Sequence, residues 1–217
     1  MPTLHGLNVS PFVRKVRVYM AEKGLPYDLE PVIPVNVSDE YRALSPLGKI
    51  PAYEDGDVRM ADSSVICAYL ERTNPAPPLF PADPVDFARA LWFEEYGDGG
   101  MQPVIGNKIF FPMVVGPGFF NRPKDEAMAN QAMEEEMPRF FDYLDSQVGE
   151  GDTLVGNSFT IGDIGICSPL VNLRHAGFDI DAGRWPKLRR YVDAVHSRPS
   201  FKALIEEERA ALGGGNG

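Results

Sequence analysis

The sequence is poor in the residues that hold metals and disulfide-stabilised folds. It has only two cysteines, Cys67 and Cys167, and three histidines among 217 residues. The cysteines lie far apart and form no C-x-x-C pair, which excludes a disulfide framework and a paired redox motif. The histidines, His5, His175 and His196, lack the spacing of metal ligands. We therefore expect no metal site, and we interpret both cysteines as buried apolar side chains.

Long apolar runs are also lacking. A helix that crosses a bilayer needs about 20 consecutive apolar residues. The longest candidate, IFFPMVVGPGFF, is shorter and is interrupted by Pro112 and Pro117. The N-terminus has no basic start followed by an apolar stretch, so no secretory signal is predicted. We expect a cytoplasmic protein with no membrane partner.

Basic residues are scarce, with 21 Lys and Arg against 31 Asp and Glu and a formal net charge of -10. Nucleic-acid binding depends on basic patches that meet phosphates, so nucleic acid is not an expected partner. Three basic residues, Arg14, Lys15 and Arg17, cluster in one predicted helix. We interpret them as a solvated helix face. The alternative is a local positive field, shared with Lys49, that attracts an anionic ligand.

Proline, in contrast, is abundant, and its clustering divides the chain. Proline fixes φ and removes a backbone donor, so no helix or central strand runs through a proline-rich stretch. Five prolines fall within eleven residues of one another and predict a stiff linker over residues 75–84. The expected domains are residues 1–74 and 85–217. The five are Pro75, Pro77, Pro78, Pro81 and Pro84.

The first domain reads as β-α-β-α-β-β-α. Ser10 is a good N-cap, Pro11 suits the first helical turn, and Gly24 suits a helix end. Asp55-Gly56-Asp57 is a hairpin signal between the third and fourth strands. The elements are predicted at residues 3–7, 10–24, 27–33, 38–46, 50–55 and 58–62, with a last helix that begins at Ser63 or Ser64.

The second domain shows little strand signal and reads as all helical, which makes the chain α+β. The first of its helices has a weak point at Gly97, Gly99 and Gly100, because glycine disfavours a helix interior. The glycine-rich tail at 213–217 is expected to be disordered. The helices are predicted at residues 84–108, 123–148, 160–176, 186–197 and 200–212.

Ser10 has two interpretations. As a helix cap, its hydroxyl accepts a backbone N–H and contributes about 1 kcal/mol. As a functional group, the same hydroxyl can donate to a thiolate at a helix N-terminus, where the partial positive charge lowers the pKa of a thiol. On the spacing alone, both interpretations stay open.

Two further sites in the first domain also have two interpretations each. Pro51 marks either the start of an edge strand or a cis Ile50–Pro51 peptide that leaves backbone groups of Ile50 for an extended peptide ligand. Asp62 and Ser63 either cap a helix or form a site in which N–H groups and a hydroxyl take a ligand carboxylate, while Asp62 takes a ligand ammonium.

The motifs together resemble the cytosolic glutathione S-transferases. The resemblance rests on SPFVRKVRVYMAEKGLPYDLE and SPLGKIPAYEDGDVRMADSSVICAYLE. A later segment, SFTIGDIG, looks like the family's capping box, with Thr160 as the cap and Asp163 three residues on. The resemblance implies a thioredoxin-like N-terminal domain, an all-α C-terminal domain and a homodimer that uses glutathione as co-substrate.

The resemblance also implies roles for individual residues. Ser10 matches the serine that Ser-type members place against the glutathione sulfur, and the nearby Asn8 is its rival. The family more often has Glu or Gln where this chain has Asp62, so the ammonium contact is expected to be looser. The residues implied to bind glutathione are Lys49, Ile50, Pro51, Asp62 and Ser63.

The predicted activity is transfer of glutathione to a small hydrophobic electrophile. The alternatives are glutathione-dependent disulfide reduction, or a non-catalytic module that binds glutathione or another ligand. The electrophile is expected to lie against an apolar wall in the second domain, although the same residues could be core. They are Met101, Val104, Ile105 and Phe110, within a stretch that continues to Phe111 and Met113.

Overall fold

In the computed structural model, which describes residues 1–149 and 151–213, the chain divides between Leu79 and Phe80 into two units. The division falls inside the stretch predicted as a linker. The tail predicted to be disordered lies, except for Gly213, outside the described residues.

The first unit has the predicted element order, which confirms a thioredoxin-like β-α-β-α-β-β-α arrangement. Each strand is short, at three or four residues. The elements are β1 (Thr3–His5), α1 (Pro11–Glu22), β2 (Asp28–Glu30), α2 (Asp39–Leu44), β3 (Ala52–Asp55), β4 (Val58–Ala61) and α3 (Ser63–Thr73).

The four strands form one mixed sheet in the order β2-β1-β3-β4. β1 is parallel to β2 and antiparallel to β3, and β3 and β4 form the predicted hairpin. Leu4 and Tyr53 face each other across β1 and β3 and are both buried. β3 is therefore a central strand, and the interpretation of Pro51 as the start of an edge strand is wrong.

Helix α1 packs on α3 and has an apolar face whose residues Val13, Val16 and Tyr19 are fully buried. Its N-cap is Ser10. The helix ends at Glu22, and Gly24, two residues on, has a φ of +65°, the left-handed conformation that glycine adopts without steric cost.

The basic residues of α1 are buried, which overturns their interpretation as a solvated face. Arg14 and Lys15 have no exposed surface, and Arg17 keeps 7%. Arg17 Nε donates to the Tyr27 hydroxyl over 2.7 Å, and Lys15 Nζ donates to Ser64 Oγ over 2.9 Å. Local periodicity missed this because the two partners lie ten and 49 residues away in the sequence.

The second unit is helical, as predicted. Its helical segments are α4 (Pro84–Glu95), a π-helical segment (Tyr96–Met101), α5 (Gln102–Val104), a second π-helical segment (Ile105–Val115), α6 (Gly116–Phe120), α7 (Glu126–Gln131), a third π-helical segment (Ala132–Glu136), α8 (Met137–Gln147), α9 (Ile161–His175), α10 (Pro186–His196) and α11 (Pro199–Gly213).

The first helix of this unit differs from the prediction at two places, the glycine-rich weak point and the predicted end. The backbone widens into π-helical turns at Tyr96–Met101, where the glycines lie, and stays helical to Phe120. The predicted end at Lys108 is therefore wrong. Pro112 lies inside the second π-helical segment, since a wider turn can accommodate a residue that lacks the N–H donor.

The glycines of SFTIGDIG allow α9 to pack closely on α4. A Cβ on Gly162 would lie 2.9 Å from the Ala90 carbonyl oxygen, and one on Gly165 would lie 2.7 Å from the Glu94 Cα. On the other side, a Cβ on Gly97 would lie 2.2 Å from the Gly165 carbonyl oxygen. These approaches leave no room for a side chain, so the motif is structural.

The capping box at the start of α9 is confirmed. Thr160 and Asp163 satisfy each other's orphan groups, and the Asp163 carboxylate accepts from the Thr160 backbone N–H over 2.8 Å. Among the described residues, no helix is long and apolar enough to cross a membrane.

Candidate glutathione site

The loop between β1 and α1 presents Ser10 at the start of a helix. Ser10 Oγ accepts a hydrogen bond from the Val13 backbone N–H over 3.4 Å, a long and therefore weak cap. The backbone N–H of Ser10 donates to the Leu7 carbonyl over 3.1 Å and closes the loop. Within the described part of the chain, the Ser10 hydroxyl hydrogen has no acceptor. The cap role and the donor role are thus compatible in one hydroxyl.

The Ile50–Pro51 peptide is cis, as the second interpretation of Pro51 requires. It lies beside the start of α1. A Cβ built on Gly6 would lie 2.4 Å from Val13 Cγ2 and 3.4 Å from the Ile50 Cβ, so Gly6 lies against both residues. Val13 is also the residue whose N–H Ser10 caps. Gly6, directly after β1, thus links the first turn of α1, which Ser10 caps, to Ile50.

Helix α2 holds the segment that precedes this peptide. The carbonyl oxygen of Lys49 accepts from the Tyr41 hydroxyl over 2.9 Å and from Ser45 Oγ over 2.8 Å. Burial raises the pKa of Tyr41, so the phenol stays protonated and able to donate. Gly48, with φ of +65°, makes the turn between Ser45 and Lys49. The backbone of Lys49 is fixed while its side chain is exposed.

The β3–β4 hairpin brings Asp62 next to Pro51. Ala52 and Ala61 are paired across the hairpin, and the Asp62 N–H donates to the Pro51 carbonyl over 3.4 Å. Asp62 caps α3 through Oδ1, which accepts from the N–H groups of Ser64 and Val65 over 2.9 and 3.2 Å. The predicted cap is therefore present.

The backbone of Asp62 is unusual. Its φ of +84° is a conformation that residues with a Cβ seldom adopt, and such outliers cluster at ligand clamps and active sites. The surrounding pairing and cap keep the residue in this conformation.

Ser63, the first residue of α3, carries donors without partners. It is only 4% exposed. Its hydroxyl and backbone N–H take part in no hydrogen bond within residues 1–149 and 151–213. Donors at a helix N-terminus are suited to an anion, since the aligned peptide dipoles favour negative charge there.

Two models of known families match this chain. One, described as the glutathione S-transferase N-terminal domain, covers residues 4–78, and the other, described as the C-terminal domain, covers residues 113–208. A glutathione S-transferase from Hyoscyamus muticus is 30% identical over 94% of this chain and 97% of its own. The chain belongs to the glutathione S-transferase family.

Other members of the family show its breadth. A stringent starvation protein A homolog from Coxiella burnetii is 26% identical over 97% of this chain and 94% of its own. A glutathione transferase homolog from Drosophila mojavensis, solved with bound glutathione, superimposes with a TM-score of 0.78 at 26% identity. The match covers 98% of this chain and 96% of the other. Membership supports a glutathione-related function.

The residues predicted to contact an electrophile are buried. Met101 and Ile105 have no exposed surface, and Val104 and Phe110 have little. Their burial favours the alternative that they are core residues of the helical unit. The exposed aromatics of this stretch are instead Phe119 and Phe120 at its end.

The remaining candidates are Asn8, the two cysteines and the side chains that could hold a metal. Asn8 is half-buried in the β1–α1 loop, two residues before Ser10, and stays its rival. Both cysteines are fully buried, and burial raises the pKa of the Cys167 thiol, which makes it a poor nucleophile. In the described part of the chain, no group of three or more His, Cys, Asp or Glu side chains could hold a metal ion.

One feature of the site went unrecognised in the sequence. The ammonium of Lys15 reaches Ser64 at the N-terminus of α3, 49 residues away. Spacing along α1 gives no signal for such a contact. Only the packing of α1 on α3 creates it.

Proposed function

We propose that this protein is a glutathione transferase with a Ser-type active site. The observation that carries the proposal is that one unit contains both a helix-capping hydroxyl, which still has a hydrogen to donate, and a peptide clamp. Ser10 supplies the hydroxyl, and Gly6 and Val13 connect it to Ile50. The relative from Drosophila mojavensis, which was solved with bound glutathione, supports glutathione as the ligand.

In this proposal the tripeptide lies across the clamp. The backbone of Ile50, next to cis-Pro51, pairs with the cysteinyl residue. The γ-glutamyl carboxylate takes the donors of Ser63 at the start of α3, and its ammonium pairs with Asp62. Because Asp62 Oδ1 accepts both cap bonds, Oδ2 is the oxygen assigned to the ammonium. Lys49, exposed beside the clamp, meets the glycine carboxylate.

The chemistry is formation of a thioether. Ser10 donates a hydrogen bond to the sulfur, so the thiolate is favoured and the thiol proton passes to solvent. The thiolate then attacks an electrophilic carbon, a C–S bond forms, and the leaving group departs with its electron pair. Ser10 keeps its proton throughout and forms no covalent bond.

Two other functions use the same site. Disulfide reduction also consumes glutathione, but the attacked atom is sulfur. A non-catalytic role is suggested by the Coxiella burnetii relative, whose name describes a starvation protein rather than a transferase. Among the described residues, the Ser63 donors at the start of α3 have no protein acceptor, which favours ligand binding over a purely structural role.

We expect glutathione to bind with a dissociation constant in the millimolar range or below, measured by isothermal titration calorimetry. The matched control is cysteinylglycine, which lacks the γ-glutamyl residue and should bind at least about 10-fold more weakly, since it loses charge-assisted hydrogen bonds at α3. If glutathione gives neither heat nor a thermal shift at millimolar concentration, the proposed function fails.

Turnover separates the two enzymatic functions. With glutathione present, a transferase should consume an aryl halide faster than a small disulfide such as bis(2-hydroxyethyl) disulfide. A faster reaction with the disulfide would favour the reductase, and binding without either reaction would favour the non-catalytic module.

We further propose a cytoplasmic homodimer. Support comes from the family and from apolar side chains left on the surface of α4, where Val85 and Trp92 lie one heptad apart and are both exposed. Sedimentation velocity should give about twice the 24.0 kDa mass of the chain. A single species of monomer mass at micromolar concentration would contradict the dimer.

A further inference from the structure

Lys15 is a fully buried lysine at the site. It lies in the middle of α1, its residue has no exposed surface, and its ammonium donates to Ser64 Oγ over 2.9 Å. Burying an ammonium costs several kcal/mol unless hydrogen bonds and charges compensate it. The ammonium therefore needs compensating contacts, and the bond to Ser64 is one of them.

The bond to Ser64 determines which way its hydroxyl points. A lysine ammonium has three donors and no acceptor. Ser64 Oγ must therefore be the acceptor, and its own hydrogen has to point elsewhere. Lys15 makes other contacts as well, but this conclusion does not depend on them, because an ammonium donates to whichever acceptors surround it.

Ser64 lies in the first turn of α3, beside the unpartnered donors of Ser63. The backbone N–H groups of Ser64 and Val65 are already occupied by Asp62 Oδ1. The Ser63 N–H, the Ser63 hydroxyl and the Ser64 hydroxyl hydrogen therefore remain at this helix end. The carboxylate of Asp62 opposes an anion there. Lys15 places an ammonium one hydrogen bond behind Ser64, on the protein side of this helix end.

We infer that Lys15 is a positioning residue that makes α3 selective for the α-carboxylate of a γ-glutamyl group. It holds the Ser64 hydroxyl as a donor toward the ligand and supplies positive charge behind it. Asp62 serves the ammonium of the same group. Lys15, acting through Ser64, and Asp62 would then each recognise one charge of the amino-acid zwitterion. This inference rests on the proposed binding of glutathione at this site.

The test compares glutathione with an analogue that lacks only the γ-glutamyl α-carboxylate, 4-aminobutyryl-cysteinylglycine. Each is titrated calorimetrically into the full-length protein and its Lys15→Met and Ser64→Ala variants. Lys15→Met keeps much of the buried stem but removes the donors and the charge. We expect it to weaken glutathione binding roughly 10-fold while changing the affinity for the analogue less than about twofold.

Two further variants and the unaltered protein complete the test. Ser64→Ala should reproduce the carboxylate-specific loss in part, and it tests the inference even if Lys15→Met does not fold. Lys15→Arg should recover much of the selectivity, because it restores the charge and the donors. Equal weakening of both ligands by Lys15→Met and Ser64→Ala, or no weakening of either, would overturn the inference while leaving the proposed function intact. Absence of glutathione binding to the unaltered protein would overturn both.

Discussion

Replacing Asp163 with alanine is expected to lower the free energy of unfolding by about 3–5 kcal/mol, because several buried donors lose their acceptor. Asp163 has no exposed surface. Its carboxylate accepts from the Leu154 N–H over 2.9 Å, from the Tyr191 hydroxyl over 2.9 Å, and from the N–H and hydroxyl of Thr160 over 2.8 and 3.1 Å. One side chain thus ties a loop, a helix start and α10 together.

The electrostatics of Asp163 explain why so many donors are needed. Burial raises the pKa of this carboxyl group by penalising its charged form, and the four hydrogen bonds oppose that shift. Alanine removes the charge, yet it leaves several donors without their acceptor at a buried position. The loss therefore exceeds that of an ordinary helix cap, which is about 1 kcal/mol.

The matched control is Asp145→Ala in the same unit. Asp145 Oδ1 accepts one hydrogen bond, from the Leu188 N–H near the start of α10, over 2.9 Å, and the residue is only half-buried. Its loss should cost about 1 kcal/mol. Urea unfolding followed by circular dichroism measures both variants. Equal destabilisation by the two substitutions would show that the hydrogen bonds of Asp163 contribute no more to the free energy of unfolding than the single bond of Asp145.

Local signals in the sequence predicted most of the elements. Ser10 and Ser38 each cap a helix that begins at the following residue, and the Asp55-Gly56-Asp57 hairpin joins two paired strands. These features depend on neighbours within four residues, so the sequence carries them directly. The end of the first predicted helix at Lys108 failed because π-helical turns have no distinct sequence signal, and proline inside one looks like a breaker.

The site was less predictable because its parts come from distant segments. The helix-start pattern predicted Asp62 and Ser63 as a cap or a ligand site, and the family resemblance implied glutathione as the ligand. The place of Asp62 beside Pro51 follows from the hairpin register. The burial of Lys15 could not be predicted. Its spacing on α1 resembles that of any charged helix face, and its partner Ser64 becomes a neighbour only when α3 packs on α1.

Replacing Ser10 with alanine is expected to lower turnover with an aryl halide about 100-fold near neutral pH. A preorganised donor to a developing or stabilised anion is worth about 10²–10³ in rate in other active sites. Without it, the pKa of the bound thiol should rise toward the ordinary thiol value of about 8.5, so the pH–rate profile should move to higher pH. Ultraviolet absorbance of bound thiolate against pH measures the pKa independently of turnover.

Stability separates this role from capping. The cap bond from the Val13 N–H to Ser10 is long, at 3.4 Å, so its loss should cost only about 0.5 kcal/mol. Ser38→Ala is the matched control, because Ser38 caps α2 through a bond of 3.2 Å from the Tyr41 N–H. Ser38→Ala should lower the free energy of unfolding as much as Ser10→Ala does, and it should leave the pKa of the bound glutathione thiol unchanged. If Ser10→Ala changes neither pKa nor turnover while Asn8→Ala changes both, the sulfur contact belongs to Asn8.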